Sequence, residues 1–478
     1  MNKRILLLTL FCCLSLADLY AQYAMGMVYD VESLKKIPKK ARLLTRDYSS
    51  LPKSHSLKKY CPTPQNQGDY STCVGWSSAY AARTMLEAIR NGWTNQAYIN
   101  REAFSPLYVY ALIKGPNVTN CNAGTNMERA AETLKTKGVV KRSTLSDYCV
   151  GSISSSMDAE AAKYKLDDYF LLFGDFTTYN NAVNPVKKAI AENYPVVIGA
   201  KCFKSYTNVK DCWNGPSGKN DEQRGYHAMC VVGYDDNKFG GAFEIMNSWG
   251  TTWGDGGFFW MPYDVFAKNV YCGLEFYVKP KTKTTTTTTK TTKTTTKTTT
   301  TLNYFAGDIS MKLSTGKTLK ATLGTSNGFK RYRITQGLPS GTRYRIYVGS
   351  NQPGYVYVFS ADQRNNVAVN FPTGGTSAAL TYKANTIALP AENMWLELDD
   401  TRGTDYLCIL FSKYTVDTNS LLRHLQSGKG SNFYEKIQNG FSKYLVPQSD
   451  IKFSSSSMNF TAKSTKQIIP LIVEFTHQ

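Results

Sequence analysis

The sequence predicts an α+β fold, in which a helical lobe precedes an antiparallel β lobe, followed by a separate, mainly β domain. Helical patterns dominate the first part of the chain, strand patterns dominate from residue 226 to 279, and a threonine- and lysine-rich run occupies residues 280–302. Helices followed by antiparallel strands are typical of α+β domains. A chain of 478 residues is long enough for two or three such units.

Residues 1–21 are predicted to be a secretory signal peptide. Lys3 and Arg4 precede an apolar run that ends at Ala17, which is too short to span a bilayer. We expect cleavage after Ala21, and hence export to the medium, the periplasm or the cell surface. The cysteines at 12–13 leave lipidation as an alternative, which the bulky residues before them disfavour. No other segment suits a transmembrane helix.

A short N-terminal lead, residues 22–50, precedes the α+β domain, which is expected over residues 51–279. A helix is predicted from Cys73 to Gly92, because glycine commonly ends helices. Further predicted elements are a helix over "NMERAAETLKTKG", a helix, turn and strand over "NPVKKAIAENYPVVIGAKCF", and strands over "HAMCVVGYDD", "GAFEIMNSWG" and "GGFFWMPYD".

The threonine-rich run marks the domain boundary. It offers no apolar side chain to bury, so residues 280–302 are expected to form a disordered, solvated linker. Short alternating strands such as "GYVYVFSAD" and "DYLCILFS" follow it, then two short helices and a closing strand, "QIIPLIVEF". Residues 303–478 are therefore predicted to be a mainly β accessory domain.

The net charge of +20 is spread over both domains and the linker. No basic cluster lies on a motif that reads bases, so the charge indicates a general basic surface rather than a nucleic-acid site. No cluster of metal-ligating residues is recognisable either. We expect neither a nucleic-acid partner nor a metal or other cofactor.

Three residues have the chemistry of a thiol nucleophile, its base and an amide that orients the base. Cys73 stands at the predicted start of a helix, where unpaired N–H groups and the helix dipole favour a thiolate. His227 begins an apolar strand and could activate that thiol. Asn247 ends the next strand and could fix the imidazole tautomer. A buried structural cysteine and a core histidine are the alternatives that these residues alone leave open.

Four motifs in order resemble the papain-like cysteine peptidases over roughly residues 50–279. They are "NQGDYSTCVGWS", "CNAG" at residues 121–124, "GYHAMCVVGY" and "NSWGTTWGDGGFFWM". The resemblance implies a two-lobed fold and hydrolysis of peptide bonds in protein or peptide substrates. It makes Cys73 the nucleophile, His227 the base and Asn247 the orienting residue, with the Gln67 side chain and the Cys73 N–H as the oxyanion hole.

The resemblance also implies a set of substrate-binding residues, in which Tyr277 forms the floor of the main specificity pocket and Trp249 shields the His–Asn hydrogen bond. The full set is Ala123, Gly124, Thr125, Asn126, Gly199, Ala228, Trp249 and Tyr277. Because none of these side chains is a carboxylate, we expect small to medium apolar substrate residues in the pocket and poor turnover of arginine or lysine there.

Nine cysteines remain after signal cleavage, so at least one is unpaired. Tyr70 stands where the family usually has a cysteine, so Cys121 lacks its habitual partner. The resemblance implies a Cys121–Cys149 disulfide instead, and proximity along the chain suggests Cys202–Cys212, with Cys272 as a competitor for Cys212. The 22–50 lead is too short for the family's long inhibitory propeptide, so latency, if present, is expected to have another source.

The C-terminal region resembles a β-rich accessory module of unassigned function found beside peptidases in bacterial proteins. It has no catalytic or metal spacing, and a cell-surface or polymer ligand is its predicted partner. For the whole chain the main prediction is an exported cysteine endopeptidase. The alternatives are a non-catalytic binding or adhesion protein on the same scaffold, and a thiol acyltransferase or amidase with the same active-site residues.

Overall fold

The computed structural model describes residues 23–146, 153–174, 179–281, 284–291, 294–301, 303–364, 366–427 and 429–478. The predicted signal peptide therefore lies outside the described residues. The α+β domain comprises a helical lobe and an antiparallel β lobe, and the mainly β domain follows it. This architecture confirms the predicted fold class. Within the described residues no helix has the length and apolarity that crossing a membrane requires.

The longest helix, α3, runs without a break from residue 73 to residue 91. Its parts are Cys73–Gly75, Trp76–Arg83 in π-helical hydrogen bonding, and Thr84–Asn91. Gly92 ends it with a positive φ of 70°, a conformation that glycine adopts at little cost. The other α-helices are α1 Val31–Lys35, α2 Thr45–Ser49, α4 Gln96–Glu102, α5 Pro106–Ile113, α6 Met127–Thr136, α7 Ser155–Ala161, α8 Tyr179–Ala191, α9 Tyr263–Asn269, α10 Thr418–Ser427 and α11 Phe433–Phe441.

A seven-stranded antiparallel sheet forms the β lobe. Its strands are β1 Ser54–Ser56, β2 Asp168–Gly174, β3 Val196–Phe203, β4 Gln223–Asp235, β5 Ala242–Met246, β6 Phe258–Pro262 and β7 Val270–Tyr277. The order is β2-β7-β3-β4-β5-β6, with β1 also paired to β4. Strand β4 is buried along most of its length, with α3 against it. The lobes meet along α3 and β4, which is where the predicted nucleophile and base lie.

The C-terminal domain consists of two antiparallel-rich sheets and the helices α10 and α11. Its strands are β10 Asn303–Leu313, β11 Ala321–Ser326, β12 Phe329–Ile334, β13 Arg343–Ser350, β14 Gly354–Ala361, β15 Val367–Phe371, β16 Ala379–Leu380, β17 Asn385–Leu389, β18 Leu396–Glu397, β19 Gly403–Ser412, β20 Ile451–Phe453, β21 Asn459–Ser464 and β22 Ile468–His477. One sheet has the order β17-β13-β10-β21-β20 and the other β11-β12-β22-β19-β14-β15. The apolar faces of these strands supply the core that the alternating sequence pattern predicts.

The threonine-rich run differs from the sequence expectation. Residues Thr284–Thr291 and Thr294–Thr301, strands β8 and β9, pair as an antiparallel hairpin in which Thr284 lies opposite Thr301. The prediction of a disordered linker was based on the lack of apolar side chains. The β-branched threonine side chain, however, favours extended backbone. The hairpin pairs with no other described strand.

The N-terminal lead packs along both domains. Its buried side chains include Leu34, Ile37 and Leu43. Residues 38–40 hydrogen-bond to Leu171 of β2, and residues 39–44 hydrogen-bond to the C-terminal domain. The lead is thus a shared element of the two domains rather than a separate tail.

Candidate active site

The start of helix α3 places Cys73 inside the cleft between the lobes. Cys73 is the first helical residue, and its side chain is fully buried. Gly75 allows this placement, because a Cβ added there would lie 2.3 Å from the carbonyl oxygen of Pro106 on α5. The helix can therefore approach its neighbour only with glycine at this position.

His227 and Asn247 form the second part of the site. The Nε2 atom of His227 lies 2.7 Å from Oδ1 of Asn247, and Oδ1 also accepts from the N–H of Ser248 at 2.8 Å. Because the amide oxygen accepts, Nε2 carries the proton and Nδ1 is the basic nitrogen of the neutral ring. Nδ1 has no hydrogen-bond partner among the described residues. The Trp249 ring stacks on the imidazole at 4.9 Å and excludes water from it.

Gln67 is held by Ser248, which immediately follows Asn247. The Ser248 hydroxyl donates to Oε1 of Gln67 at 2.6 Å, and the Gln67 N–H donates to the Ser248 carbonyl at 2.8 Å. This leaves the Gln67 Nε2 group to donate to the carbonyl oxygens of Tyr70 at 2.7 Å and Ala24 at 3.1 Å. The amide that the sequence predicts for the oxyanion hole thus already holds a carbonyl oxygen of the lead.

Residues 23–30 of the lead, here called the cleft segment, run through the site and form isolated β-bridges from Met27 to Thr125 and Tyr226. Thr125 donates its N–H to the Gly26 carbonyl at 2.8 Å and accepts from the Val28 N–H at 2.9 Å, and the Met27 N–H donates to the Tyr226 carbonyl at 3.3 Å. The Tyr23 ring stacks on Trp249 at 4.7 Å. Because this backbone lies between both lobes, the cleft is closed by the chain itself.

Met27 fills a pocket beside the nucleophile. A Cβ added at Gly199 would lie 2.6 Å from Cε of Met27 and 2.8 Å from the Tyr271 ring. The Tyr271 hydroxyl lies 3.1 Å from the Met27 sulfur. Met27 is 7% exposed, whereas Val28 is 45% exposed, as expected for alternating side chains of a strand. The pocket therefore accommodates an apolar side chain of about the size of methionine.

The closed cleft changes the protonation of the cysteine and histidine. Burial raises the pKa of Cys73 to about 11, although the backbone N–H groups of Ala228 and Gly26 oppose the shift. Burial lowers the pKa of His227 to about 4, against the hydrogen bond to Asn247. The helix start predicted a lowered thiol pKa, and this is wrong for the closed state, because desolvation of the thiolate outweighs the N–H groups.

The structure brings four of the eight predicted substrate-binding residues to the cleft segment. The residues that contact it, as described above or through a methyl group of Val28, are Gly124, Thr125, Gly199 and Trp249. The backbone N–H of Ala228 approaches the Cys73 sulfur. Asn126 caps α6 and donates to the Ser33 hydroxyl. Ala123 accepts from the Tyr110 hydroxyl at 2.9 Å.

Tyr277 does not form the pocket floor. It is the Cα partner of Asp168, five residues along β7 from Cys272, which is the partner of Gly199. Five strand residues span about 16 Å, which places Tyr277 outside the pocket. Its ring lies 6.0 Å from the Tyr194 ring. The tyrosine that contacts Met27 is Tyr271, and the strand register, invisible in the sequence, decides between the two.

The cysteines follow the predictions in part. Cys73 is a free thiol, as expected. Cys202 and Cys212 are both free as well, so the predicted bridge between them is wrong. Cys202 is buried on β3, whereas the backbone of Cys212 pairs with that of Trp260 on β6 in an isolated β-bridge. Cys121 is disulfide-bonded, and its predicted partner Cys149 lies outside the described residues, so this pairing stays a prediction.

Sequence reasoning missed three contributors to the site: Ser248, Tyr271 and the cleft segment. Ser248 follows Asn247 directly, so its position could have suggested a contact with the oxyanion side of the site. Tyr271 and the segment depend on long-range pairing and gave no local signal. No group of His, Cys, Asp and Glu suited to a metal ion occurs in the described part of the chain.

Comparison with known proteins accords with this geometry. A family model described as papain family cysteine protease matches residues 65–332, more than half of the chain. The chain belongs to the papain family of cysteine proteases. A second model, a domain of unknown function (DUF4384), matches residues 338–414 of this papain-family protein. The first match continues past the predicted domain end at 279, through the threonine-rich run.

Individual relatives of the papain-family chain are distant. An uncharacterized peptidase C1-like protein of Acanthamoeba polyphaga mimivirus is 34% identical over 112 residues, covering 23% of this chain and 34% of that protein. Peptidase 1 of Dermatophagoides pteronyssinus is 27% identical over 207 residues, covering 43% of this chain and 57% of that protein. The chain thus spans about a third to three fifths of these relatives. Among solved structures, xylellain, a cysteine protease from Xylella fastidiosa, aligns with 20% identity and a TM-score of 0.44, covering 54% of this chain and 97% of that one.

Proposed function

We propose that this papain-family protein is a cysteine endopeptidase whose nucleophile is Cys73, with His227 as base and Asn247 as the residue that orients the imidazole. One observation carries the proposal: the cleft segment places a peptide carbonyl, that of Ala24, against the Gln67 amide 3.1 Å away, beside the buried thiol and the His227–Asn247 pair. An extended peptide therefore fits this site.

The residues support a two-stage hydrolysis. His227 Nδ1 takes the thiol proton of Cys73, and the thiolate attacks the scissile carbonyl carbon. Gln67 Nε2 and the Cys73 N–H donate to the resulting oxyanion. The imidazolium then protonates the leaving amine as the C–N bond breaks. A water molecule, deprotonated by His227, attacks the thioester, and the carboxylic acid product leaves as the proton returns to Cys73.

Latency follows from the same geometry. While residues 23–30 cover the cleft, the thiol and the imidazole are both neutral at pH 7, since their pKa values are about 11 and about 4. The active form therefore requires that the segment leave. The sequence analysis judged the 22–50 lead too short for a long inhibitory propeptide and expected any latency to have another source, but eight residues of the lead suffice to fill this cleft.

The finer properties remain proposals. Endopeptidase rather than exopeptidase action is supported by the cleft segment, which continues on both sides of Cys73, from Tyr23 at Trp249 to Tyr29 at Tyr226. Export rests on the predicted signal peptide in residues 1–21. An external ligand of the C-terminal domain stays a prediction from the sequence.

The proposal is tested by cutting the lead on the C-terminal side of the cleft segment. Lys35 and Lys36 are exposed, so a site for a sequence-specific protease can replace them. We expect the uncut protein to hydrolyse a peptide library slowly and the cut protein to hydrolyse it rapidly. Cys73→Ala should abolish this activity, while Cys212→Ala, which removes a thiol outside the cleft, should not. Cut protein that neither turns over peptides nor reacts at Cys73 with a peptide epoxide would overturn the proposal.

A further inference from the structure

The second half of the lead binds the C-terminal domain through backbone hydrogen bonds and isolated β-bridges at Lys39 and Leu43. The Lys39 N–H donates to the Gly375 carbonyl at 2.9 Å, and its carbonyl accepts from the Ser377 N–H at 2.8 Å. The Leu44 N–H donates to the Thr386 carbonyl on β17 at 3.0 Å. We call residues 38–47 the anchor segment. Because these bonds use the backbone, the segment adds to an otherwise exposed edge of the domain.

Lys40 fixes this segment in a buried polar cluster drawn from both domains. Its ammonium group contacts the carboxylate of Glu275 on β7 and the hydroxyl of Thr381 in the C-terminal domain. The ammonium also lies 3.9 Å from the centroid of the Tyr382 ring, whose hydroxyl donates to Glu275. The Lys40 and Glu275 side chains are 7% and 0% exposed.

The anchor and cleft segments are separated by only seven residues. That connection, residues 31–37, contains the short helix α1, whose Leu34 is buried, and Ile37, which is 1% exposed. Because the connection is short and two of its side chains are buried, we expect displacement of the anchor segment to displace the cleft segment over Cys73 as well.

We propose that the C-terminal domain is an intramolecular binding domain whose ligand is residues 38–47 of the same chain, and that this binding holds residues 23–30 across the cleft. The inference rests on the proposed function for its catalytic consequence, but the binding itself does not. Lys40 is the anchoring residue, because its ammonium group contacts Glu275 of the first domain and, at the same time, the Thr381 hydroxyl and the Tyr382 ring of the second.

This role accounts for a buried ion pair at the junction of three parts of the chain. Such a pair is a weak source of stability, but removing one partner strands a buried charge and is strongly unfavourable. The lead also binds the first domain through Leu171 and Glu275, and the C-terminal domain completes the cluster around Lys40. Displacement of that domain would free the lead and open the cleft.

The test measures access to Cys73 in the full-length chain, without any need for turnover. Iodoacetamide labelling of Cys73 is followed by mass spectrometry in wild type, Lys40→Met and Lys39→Met. Lys39 is the matched control, since the neighbouring lysine is exposed and makes only backbone bonds across the interface. We expect Lys40→Met to speed labelling about tenfold or more, and Lys39→Met to match wild type.

A second pair keeps the test decisive should Lys40→Met fail to fold. Tyr382→Phe removes the hydroxyl that reaches Glu275, and Tyr444→Phe is its control, because Tyr444 is 49% exposed. We expect faster labelling of Cys73 in Tyr382→Phe alone. Wild-type labelling rates in both Lys40→Met and Tyr382→Phe would overturn the inference. Faster labelling without peptide hydrolysis would uphold the inference and overturn the proposed function instead.

Discussion

Among single residues, Gln67 is held by hydrogen bonds at both the oxygen and the nitrogen of its side-chain amide. Its Oε1 is fixed by Ser248, and its Nε2 donates to the Ala24 carbonyl, where the proposed mechanism puts a substrate carbonyl. A side-chain amide can be misplaced by rotation, so the serine acts as a positioning residue that keeps the donor aimed at the oxyanion. The proposed mechanism therefore depends on a pair of side chains, of which only one contacts substrate.

This pair gives the first prediction. In protein cut at residues 35–36, Gln67→Ala should lower kcat about 10²–10³-fold with a small change in KM, because one oxyanion donor is lost. Ser248→Ala should lower kcat less, since the amide is still present but less well oriented. Steady-state kinetics with one fluorogenic peptide measure both. A Gln67→Ala enzyme with wild-type kcat would remove Gln67 from the mechanism.

The second prediction concerns the pH dependence of stability through His227. Its folded-state pKa is lowered from 6.5 to about 4, so the unfolded chain binds a proton between these values that the closed fold does not. Stability is therefore lost as pH falls. Between pH 7 and pH 5 the loss from this group is about 2 kcal/mol. Thermal unfolding should show a smaller acid-induced drop in Tm for His227→Gln than for wild type, and equal drops would contradict the assignment.

Among structural elements, the register of β3 against β7 decides the shape of the pocket. Gly199 lies opposite Cys272, which brings Tyr271 to Met27 and keeps Tyr277 away. A glycine at position 199 is required by this approach, since any side chain would meet the Tyr271 ring. The width of the pocket is thus a property of two paired strands rather than of one motif.

The third prediction follows from this width. Peptides with methionine or leucine two residues before the scissile bond should be cleaved with a higher kcat/KM than peptides with arginine there, because a buried cation would lack a charged partner. Gly199→Ala should reduce kcat/KM for the methionine peptide about tenfold and favour alanine, since the added methyl group occupies the pocket. A wild-type preference for arginine would refute this pocket while leaving the Cys73 mechanism intact.

In the whole molecule, the N-terminal lead joins the two domains independently of the threonine-rich run. The lead contacts β2 and β7 of the first domain and β17 of the second. The domains are therefore connected covalently through residues 280–302 and noncovalently through the anchor segment. They also contact each other directly, as where the Tyr194 hydroxyl donates to the Thr381 carbonyl at 3.1 Å.

The fourth prediction tests how much the anchor segment contributes to this association. After cleavage at a protease site placed within residues 282–302, the two fragments should still elute together in size-exclusion chromatography. Leu44→Pro combined with Lys40→Met should weaken their association, so that a larger fraction elutes as separate fragments, because only the direct contacts between the domains remain. Proline fits the φ of −62° at Leu44 but removes the N–H that donates to Thr386. Wild-type fragments that separate at once would show that the lead does not hold the domains together.

The sequence by itself determined the features that depend on local pattern. The helix that begins at Cys73, the strand that begins near His227 and the α+β order all follow from periodicity and end signals, which act over a few residues. The resemblance to papain-like peptidases rested on four such motifs, and the family match agrees with it. Gln67, His227 and Asn247 could be predicted as site residues because the motifs that contain them are contiguous.

Only the tertiary structure decided the features that depend on which distant segments meet. The free thiols of Cys202 and Cys212, the exchange of Tyr277 for Tyr271 and the pairing of the threonine strands all follow from strand register. The raised pKa of Cys73 follows from burial under a segment nearly fifty residues earlier in the chain. Desolvation and strand pairing are set by the assembled environment, so no local pattern around Cys73 could reveal that its own chain closes the site.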